Sequence, residues 1–154
     1  MLYLVQHGKA YPESADPERR LTPEGVEETR RMGRLLRRAG VRVAEIVHSG
    51  KARARQTAEI LAEYLSPSAV REAEGLSPND DPGIWAARLQ AVRDPLMIVG
   101  HLPHLAKLAT LILTERAEPP IVSFKYSGVL GLDRVEGEGG GWRIVFFITP
   151  DFAD

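Results

Sequence analysis

Two short runs of uninterrupted apolar residues, Leu2 to Val5 and Leu96 to Val99, each stop at a histidine with a glycine beside it: Gln6-His7-Gly8 in the first, Gly100-His101-Leu102-Pro103 in the second. A run that is apolar at every position suits a strand buried on both faces of a sheet, where no side of the pleat meets water. Helical patterning fills the spaces between such runs. Thr22-Pro23-Glu24 starts a helix, with Thr22 as its cap and Pro23 at the first helical position, and the pattern runs through Met32, Leu35 and Leu36 to a stop at Gly40. Val41 to Val47 reads as the next strand, Ser49 and Gly50 as its exit, and Arg53 to Tyr64 as a second helix, with Ala58, Leu61 and Leu65 at helical spacing.

The remainder repeats this alternation. Val70 to Glu74 reads as a third strand, followed by the acidic loop Ser77-Pro78-Asn79-Asp80-Asp81 and a helix through Trp85, Leu89 and Val92. A helix across Leu105, Leu108 and Leu111 should follow His101. Val122 to Val135 and Trp142 to Ile148 are two β-rich stretches joined by the glycine-rich Glu136 to Gly141, which reads as a hairpin connection. Strands alternating with helices predict a three-layer α/β/α sandwich with a mostly parallel central sheet and an antiparallel hairpin at the end. No linker divides the chain, and 154 residues fit a single domain spanning 1–154. In such sheets ligands bind beyond the carboxyl ends of the strands. His7, the segment Ser49 to Arg53, and His101 all fall at that edge, although they are far apart in sequence.

Composition narrows the chemistry. The chain has no cysteine, which excludes disulfide frameworks, thiolate zinc sites and cysteine nucleophiles. Its formal net charge of -1 offers no general attraction to nucleic acid or to an anionic membrane, so neither is an expected partner and any anion must be recognised locally. No apolar run approaches the ~20 residues of a membrane helix. The stretch Met1 to Val5 is too short for the core of a signal peptide and lacks its basic leader; a cytoplasmic location is expected. The sequence leaves the oligomeric state open. A lone histidine at a strand end is more often a half-buried structural residue than a reactive one. Two at equivalent exits change that reading, because neutral imidazole is a competent nucleophile near neutral pH and adjacent glycine lets backbone approach a bound anion. His101-Leu102-Pro103-His104 could suggest a metal pair, but no third ligand accompanies it, and neither a metal nor a cofactor is expected. Gly139 to Gly141 lacks the Lys-Ser/Thr of a phosphate-binding loop.

Four segments in register, Val5-Gln6-His7-Gly8, Arg20-Leu21-Thr22-Pro23-Glu24-Gly25, Ser49-Gly50-Lys51-Ala52-Arg53-Ala54-Arg55-Gln56-Thr57 and Gly100-His101-Leu102-Pro103, resemble the histidine phosphatase superfamily, and the short chain most resembles its small bacterial phosphohistidine phosphatases. The resemblance implies a phosphoglycerate mutase-like fold and a phosphorylated substrate, such as a phosphohistidine-bearing protein. It implies that His7 attacks phosphorus and is transiently phosphorylated, that Arg53 binds the phosphoryl group and that His101 is the second pocket histidine. Gln6, Gly8 and Ser49 are the expected substrate-binding neighbours. One position departs from the pattern: the family has arginine where this chain has Gln6. Charge-assisted hydrogen bonds are each worth roughly 1.5 to 3 kcal/mol, so an uncompensated loss would lower activity on the order of 10- to 100-fold. Lys9, Lys51 and Arg55 are candidate compensators. A second reading follows from Gln6: a phosphate-sensing or protein-binding module that kept the pocket and lost catalysis. Glu74, Asp80 and Asp81 are the weak candidates for a proton donor.

Overall fold

The computed structural model describes residues 1–154. A six-stranded sheet runs in the order β3-β2-β4-β1-β5-β6. Its strands are β1 (Leu2–Gln6), β2 (Glu45–His48), β3 (Ala69–Glu72), β4 (Leu96–Gly100), β5 (Val129–Arg134) and β6 (Trp142–Ile148). The first four are parallel; β5 runs antiparallel to β1 and β6 antiparallel to β5, completing the expected hairpin at one edge. The helices are α1 (Pro23–Arg38), α2 (Ala52–Leu65), α3 (Pro82–Leu89) and α4 (His104–Thr114), and a 3-10 turn spans Pro150–Phe152. None is long and apolar enough to cross a membrane.

The two apolar runs become the two central strands, and their alternation explains the two layers of helices. Leu2 and Leu4 of β1, with Leu96 and Ile98 of β4, join the core cluster that holds Trp85 and Leu89 of α3 and Leu105, Leu108 and Ala109 of α4. Tyr3 and Val5, with Met97 and Val99, face the opposite cluster, where Met32 and Leu36 of α1 meet Ala54, Ala58 and Leu61 of α2. Successive side chains of a strand point to opposite faces, so a wholly apolar strand supplies both cores at once.

Several boundaries differ from those read in the sequence. The second strand begins at Glu45 rather than Val41 because the preceding residues close α1: Gly40 takes a left-handed φ of 78° and Val41 N–H donates to Leu36 O at 3.0 Å, as in a Schellman ending. The third strand occupies Ala69–Glu72, and α3 ends at Leu89, short of Val92. The stretch from Val122 yields a strand only from Val129. Before that point Phe124 is buried in the α3/α4 core, Gly128 N–H turns back to Lys125 O, and Ser127 N–H reaches Gln6 O at 2.9 Å. That contact spends the segment on the end of β1 rather than on ladder pairing.

Ile98 is fully buried on a strand with neighbours on both sides. Truncating Ile98→Ala should cost about 2–5 kcal/mol, the usual range for an aliphatic residue cut back in a packed core. Urea unfolding measures it, and a loss below about 1 kcal/mol would show that the site collapses without a cavity.

Candidate active site

The parallel register of β1 with β4 sets Gln6 opposite Gly100, and His7 N–H donates to Gly100 O at 3.0 Å. The residues that follow, His7 and His101, therefore leave the sheet side by side, with ring centroids 5.1 Å apart. Both are buried. Ser49 leaves the neighbouring strand β2, and its Oγ lies 2.6 Å from His101 Nε2. Arg53 sits in the first turn of α2, directly after this exit. Parallel strands joined by helical crossovers place helix N-termini, the positive ends of their dipoles, at this same edge.

His7 is held in one orientation. Its Nδ1 lies 2.7 Å from Gly8 O, so a proton on Nδ1 donates to that carbonyl and leaves the Nε2 lone pair free. Gly8 N–H in turn donates to Thr57 Oγ1 at 2.9 Å, and that hydroxyl donates to Arg53 O at 2.8 Å. The loop that carries His7 and the helix that carries Arg53 are thus joined through one threonine. Gly8 is required by packing: a Cβ there would come within 2.9 Å of Thr29 Oγ1 and 3.0 Å of Ser127 Oγ, two hydroxyls hydrogen-bonded to each other at 2.8 Å. Gly100 meets no such obstacle. The glycine of Leu21-Thr22-Pro23-Glu24-Gly25 has a packing reason, because a Cβ at Gly25 would collide with the Lys9 carbonyl just beyond His7.

Charge is distributed unevenly around the pair. Burial lowers the pKa of His7 to about 4, helped by the charges of Arg53 and Arg19 and opposed by the bond to Gly8. Burial also lowers His101 to about 3, with His7, Arg53, Lys51 and His104 adding to the effect. Both imidazoles are therefore neutral in the empty site near pH 7. Arg53 has no carboxylate within ion-pair distance and its buried Nε has no hydrogen-bond partner; Gln6 Oε1 and His101 Nδ1 are likewise buried and unpartnered. An arginine that no acid neutralises, in the first turn of a helix at the edge where two histidines leave the sheet, suits a small oxyanion.

Other residues singled out in the sequence have other engagements. Lys9 Nζ is paired with Glu24 at 2.7 Å and Glu28 at 3.6 Å, and Arg55 Nε approaches Glu59 at 3.7 Å, so neither stands in for the missing arginine. Lys51 is exposed, although its charge reaches His101. Asp80 accepts from Ser77 N–H and Asp81 caps α3 through Gly83 N–H; Glu74 and Asp80 line a cleft that Ser49 borders, and none of the three acids is hydrogen-bonded to either histidine. His104 is buried with neither ring nitrogen paired, and no group of three metal-ligating side chains converges on it. His48 is structural, accepting Gly50 N–H at 3.0 Å. Sequence reasoning assigned no role to Thr29, Thr57, Ser127 or Tyr126, whose ring lies 5.6 Å from that of His7. Only Thr57 lay inside a quoted motif; Ser127 and Tyr126 belong to a segment read as strand.

The sequence profile of the histidine phosphatase superfamily (branch 1) matches residues 2–92. The chain belongs to the histidine phosphatase superfamily. It is 29% identical over 149 residues to the phosphohistidine phosphatase SixA of Escherichia coli, covering 93% of this chain and 92% of that protein. An uncharacterized protein of Picosynechococcus is 33% identical over 138 residues, covering 85% of this chain and 83% of its own length. Among solved structures, the protein histidine phosphatase SixA complexed with tungstate superposes with a TM-score of 0.84 at 27% identity over 97% of both chains. A mycobacterial glucosyl-3-phosphoglycerate phosphatase, at 18% identity and TM-score 0.72 over 94% of this chain and 97% of that one, shares the fold.

Two expectations follow from this geometry. Thr57→Val strands the buried Gly8 N–H and should cost about 1–3 kcal/mol. Turnover should fall in parallel; a variant matching the parent in both urea midpoint and rate would show that the hydroxyl does not hold the loop. The second concerns acid. The folded chain binds protons on His7 and His101 less readily than the unfolded chain, whose histidines titrate near ~6.5. As pH falls below about 6.5 the unfolded state takes up the extra protons, so stability is full above that value and is lost down to about 4 and about 3 as the two imidazoles charge in the fold. Unfolding free energy followed across this window should fall, with a flatter profile for His101→Gln.

Proposed function

We propose that this phosphatase works through a covalent phosphohistidine on His7 and that its substrate is a phosphohistidine-bearing protein. The observation that carries the reading is the neutral His7 ring, fixed by Nδ1 on Gly8 O, with a free Nε2 beside His101 and a helix bearing the unneutralised Arg53. Nε2 attacks phosphorus, forming an N–P bond as the bond from phosphorus to the leaving group breaks. Water then attacks the same phosphorus, releasing inorganic phosphate and regenerating His7. Arg53 spreads its positive charge over the phosphoryl oxygens in both steps. The oxyanion in the SixA–tungstate relative supports a pocket of this kind.

The acid side of the site supports the choice of substrate. An alkoxide leaves poorly unless a proton reaches it, whereas the imidazole of a phosphohistidine has a conjugate acid near ~6.5 and departs readily. Asp80 and Asp81 are engaged in local turns, and Glu74 lines the cleft that Ser49 borders; none of the three is hydrogen-bonded to His7 or His101. A pocket equipped in this way favours the better leaving group. A dianionic phosphoryl group beside His101 raises its proton affinity against the lowering that burial, His7 and Arg53 impose, and in this scheme it does so far enough to protonate the ring. The charge it then carries clamps the transferring oxygens. The reaction is metal-independent in this scheme, since guanidinium and imidazolium supply the positive charge.

Brief exposure to a labelled phosphoryl donor with an alkaline quench should leave acid-labile, alkali-stable label on the parent and none on His7→Ala. Label retained by His7→Ala, or none on the parent, contradicts the scheme, and activity lost to chelator and restored by a divalent metal contradicts its metal independence. Oxyanion binding should also take up protons near neutral pH. Calorimetry of tungstate binding in buffers of different ionisation enthalpy measures that uptake, and a heat independent of buffer would show that His101 stays neutral.

A further inference from the structure

The loop leaving the nucleophile returns to it. Ala10 bridges Leu21, Tyr11 N–H donates to Arg20 O, and Thr22 N–H donates to Lys9 O, so residues 19–22 run back alongside the residues just after His7. The returning arm is also fastened to α2, where Leu21 N–H donates to Gln56 Oε1 at 2.8 Å, less than one turn beyond Arg53. Arg19 and Arg20 sit at the head of this arm and are treated differently. Arg20 Nε lies 3.0 Å from Asp16 Oδ2 and 3.6 Å from Glu18 Oε2, on the exposed side. Arg19 has no carboxylate in reach. It is half-buried, its N–H donates to Asp16 O, and its Nε donates to Tyr11 O at 3.2 Å, leaving both terminal nitrogens of the guanidinium unpaired.

The backbone at Arg19 is held at a positive φ of 50°, a conformation that side-chain-bearing residues seldom adopt. Strain of this kind persists where the surroundings impose it, and it gathers at ligand sites. Asp16 anchors the turn here: its carboxylate collects the N–H groups of Glu18 and Arg20 together with the Arg20 side chain, and leaves Arg19 without an acid. The charge of Arg19 lowers the proton affinity of both His7 and Arg53, as expected of a cation facing the same pocket.

We infer that Arg19 is a substrate-binding residue that supplies, from the returning loop, the guanidinium that Gln6 does not provide from the strand. Lys9 and Arg55 are committed to acids and Lys51 is exposed, which leaves Arg19 as the half-buried cation without a carboxylate whose charge reaches both His7 and Arg53. A guanidinium with two free terminal nitrogens can grip two phosphoryl oxygens at once, which neither Gln6 nor a lysine can do. This inference rests on the proposed phosphatase mechanism but is tested separately from it.

The test is a cycle of variants read by tungstate affinity and by kcat/KM on a phosphohistidine substrate. Arg19→Ala should weaken both by roughly 10- to 100-fold, and Arg19→Lys by less. Gln6→Arg in the parent should gain little, whereas Gln6→Arg introduced into Arg19→Ala should recover most of the loss, a rescue that a merely structural role for Arg19 would not produce. Arg20→Ala, on the same loop, should stay within about twofold of the parent. Arg19→Gln, which can keep the bond to Tyr11 O, guards against misfolding of the loop and should show the same loss as Arg19→Ala. An Arg19→Ala variant that binds tungstate as the parent does, or a loss that Gln6→Arg fails to repair, overturns the inference. A parent protein that forms no phosphohistidine sinks the mechanism instead, and the tungstate arm still judges Arg19.

Discussion

The parallel pairing of β1 with β4 is the constraint on which the site depends. With Gln6 opposite Gly100, the two strands end level, and each hands its next residue, a histidine, to the same edge of the sheet. A slip of β1 by one residue would exchange Leu2 and Leu4 with Tyr3 and Val5 between the two cores and carry His7 out of line with His101. Hydrophobic register and imidazole placement are therefore the same fact. Packing the two cores correctly brings His7 and His101 together with no further specification.

Around that pair, polarity is arranged for a ligand more than for the fold. Ion pairs occupy the outer cations Lys9, Arg20 and Arg55, while Arg19 and Arg53, whose charges reach His7, have none. Each exposed pair contributes at most about 1 kcal/mol, and many contribute less. Their consequence lies in what they leave alone: positive charge without a counter-ion beside two neutral, buried imidazoles. In the proposed reaction an entering phosphoryl group would meet this charge already in place, with little reorganisation at the moment of transfer. Thr57 Oγ1, accepting from Gly8 N–H, and Ser127 N–H, donating to Gln6 O, hold the loop from which His7 projects, and the paired Thr29 and Ser127 hydroxyls pack beneath Gly8.

Much of this was legible in the sequence, for reasons specific to its residues. The central strands were plain because every position is apolar, and α1 because Thr22 and Pro23 mark its start. The exits of three parallel strands had to share an edge, so His7, Ser49 and His101 could be placed together before any coordinates. Boundaries were less visible where backbone does two jobs: Val41 looks like strand but closes α1, and Val122 to Gly128 looks like strand but carries Ser127 and Tyr126 to the end of β1. Arg19 was indistinguishable from Arg20 in one dimension, because only the fold shows which of two adjacent arginines Asp16 captures.

The central claim concerns one nitrogen aimed at phosphorus, and a crystal structure with orthovanadate bound tests it most directly. The account predicts vanadium within bonding distance of His7 Nε2, with Nδ1 still on Gly8 O and guanidinium nitrogens of Arg53 around the equatorial oxygens. Vanadium bound elsewhere, bonded through Nδ1, or seated out of reach of Arg53 would contradict it.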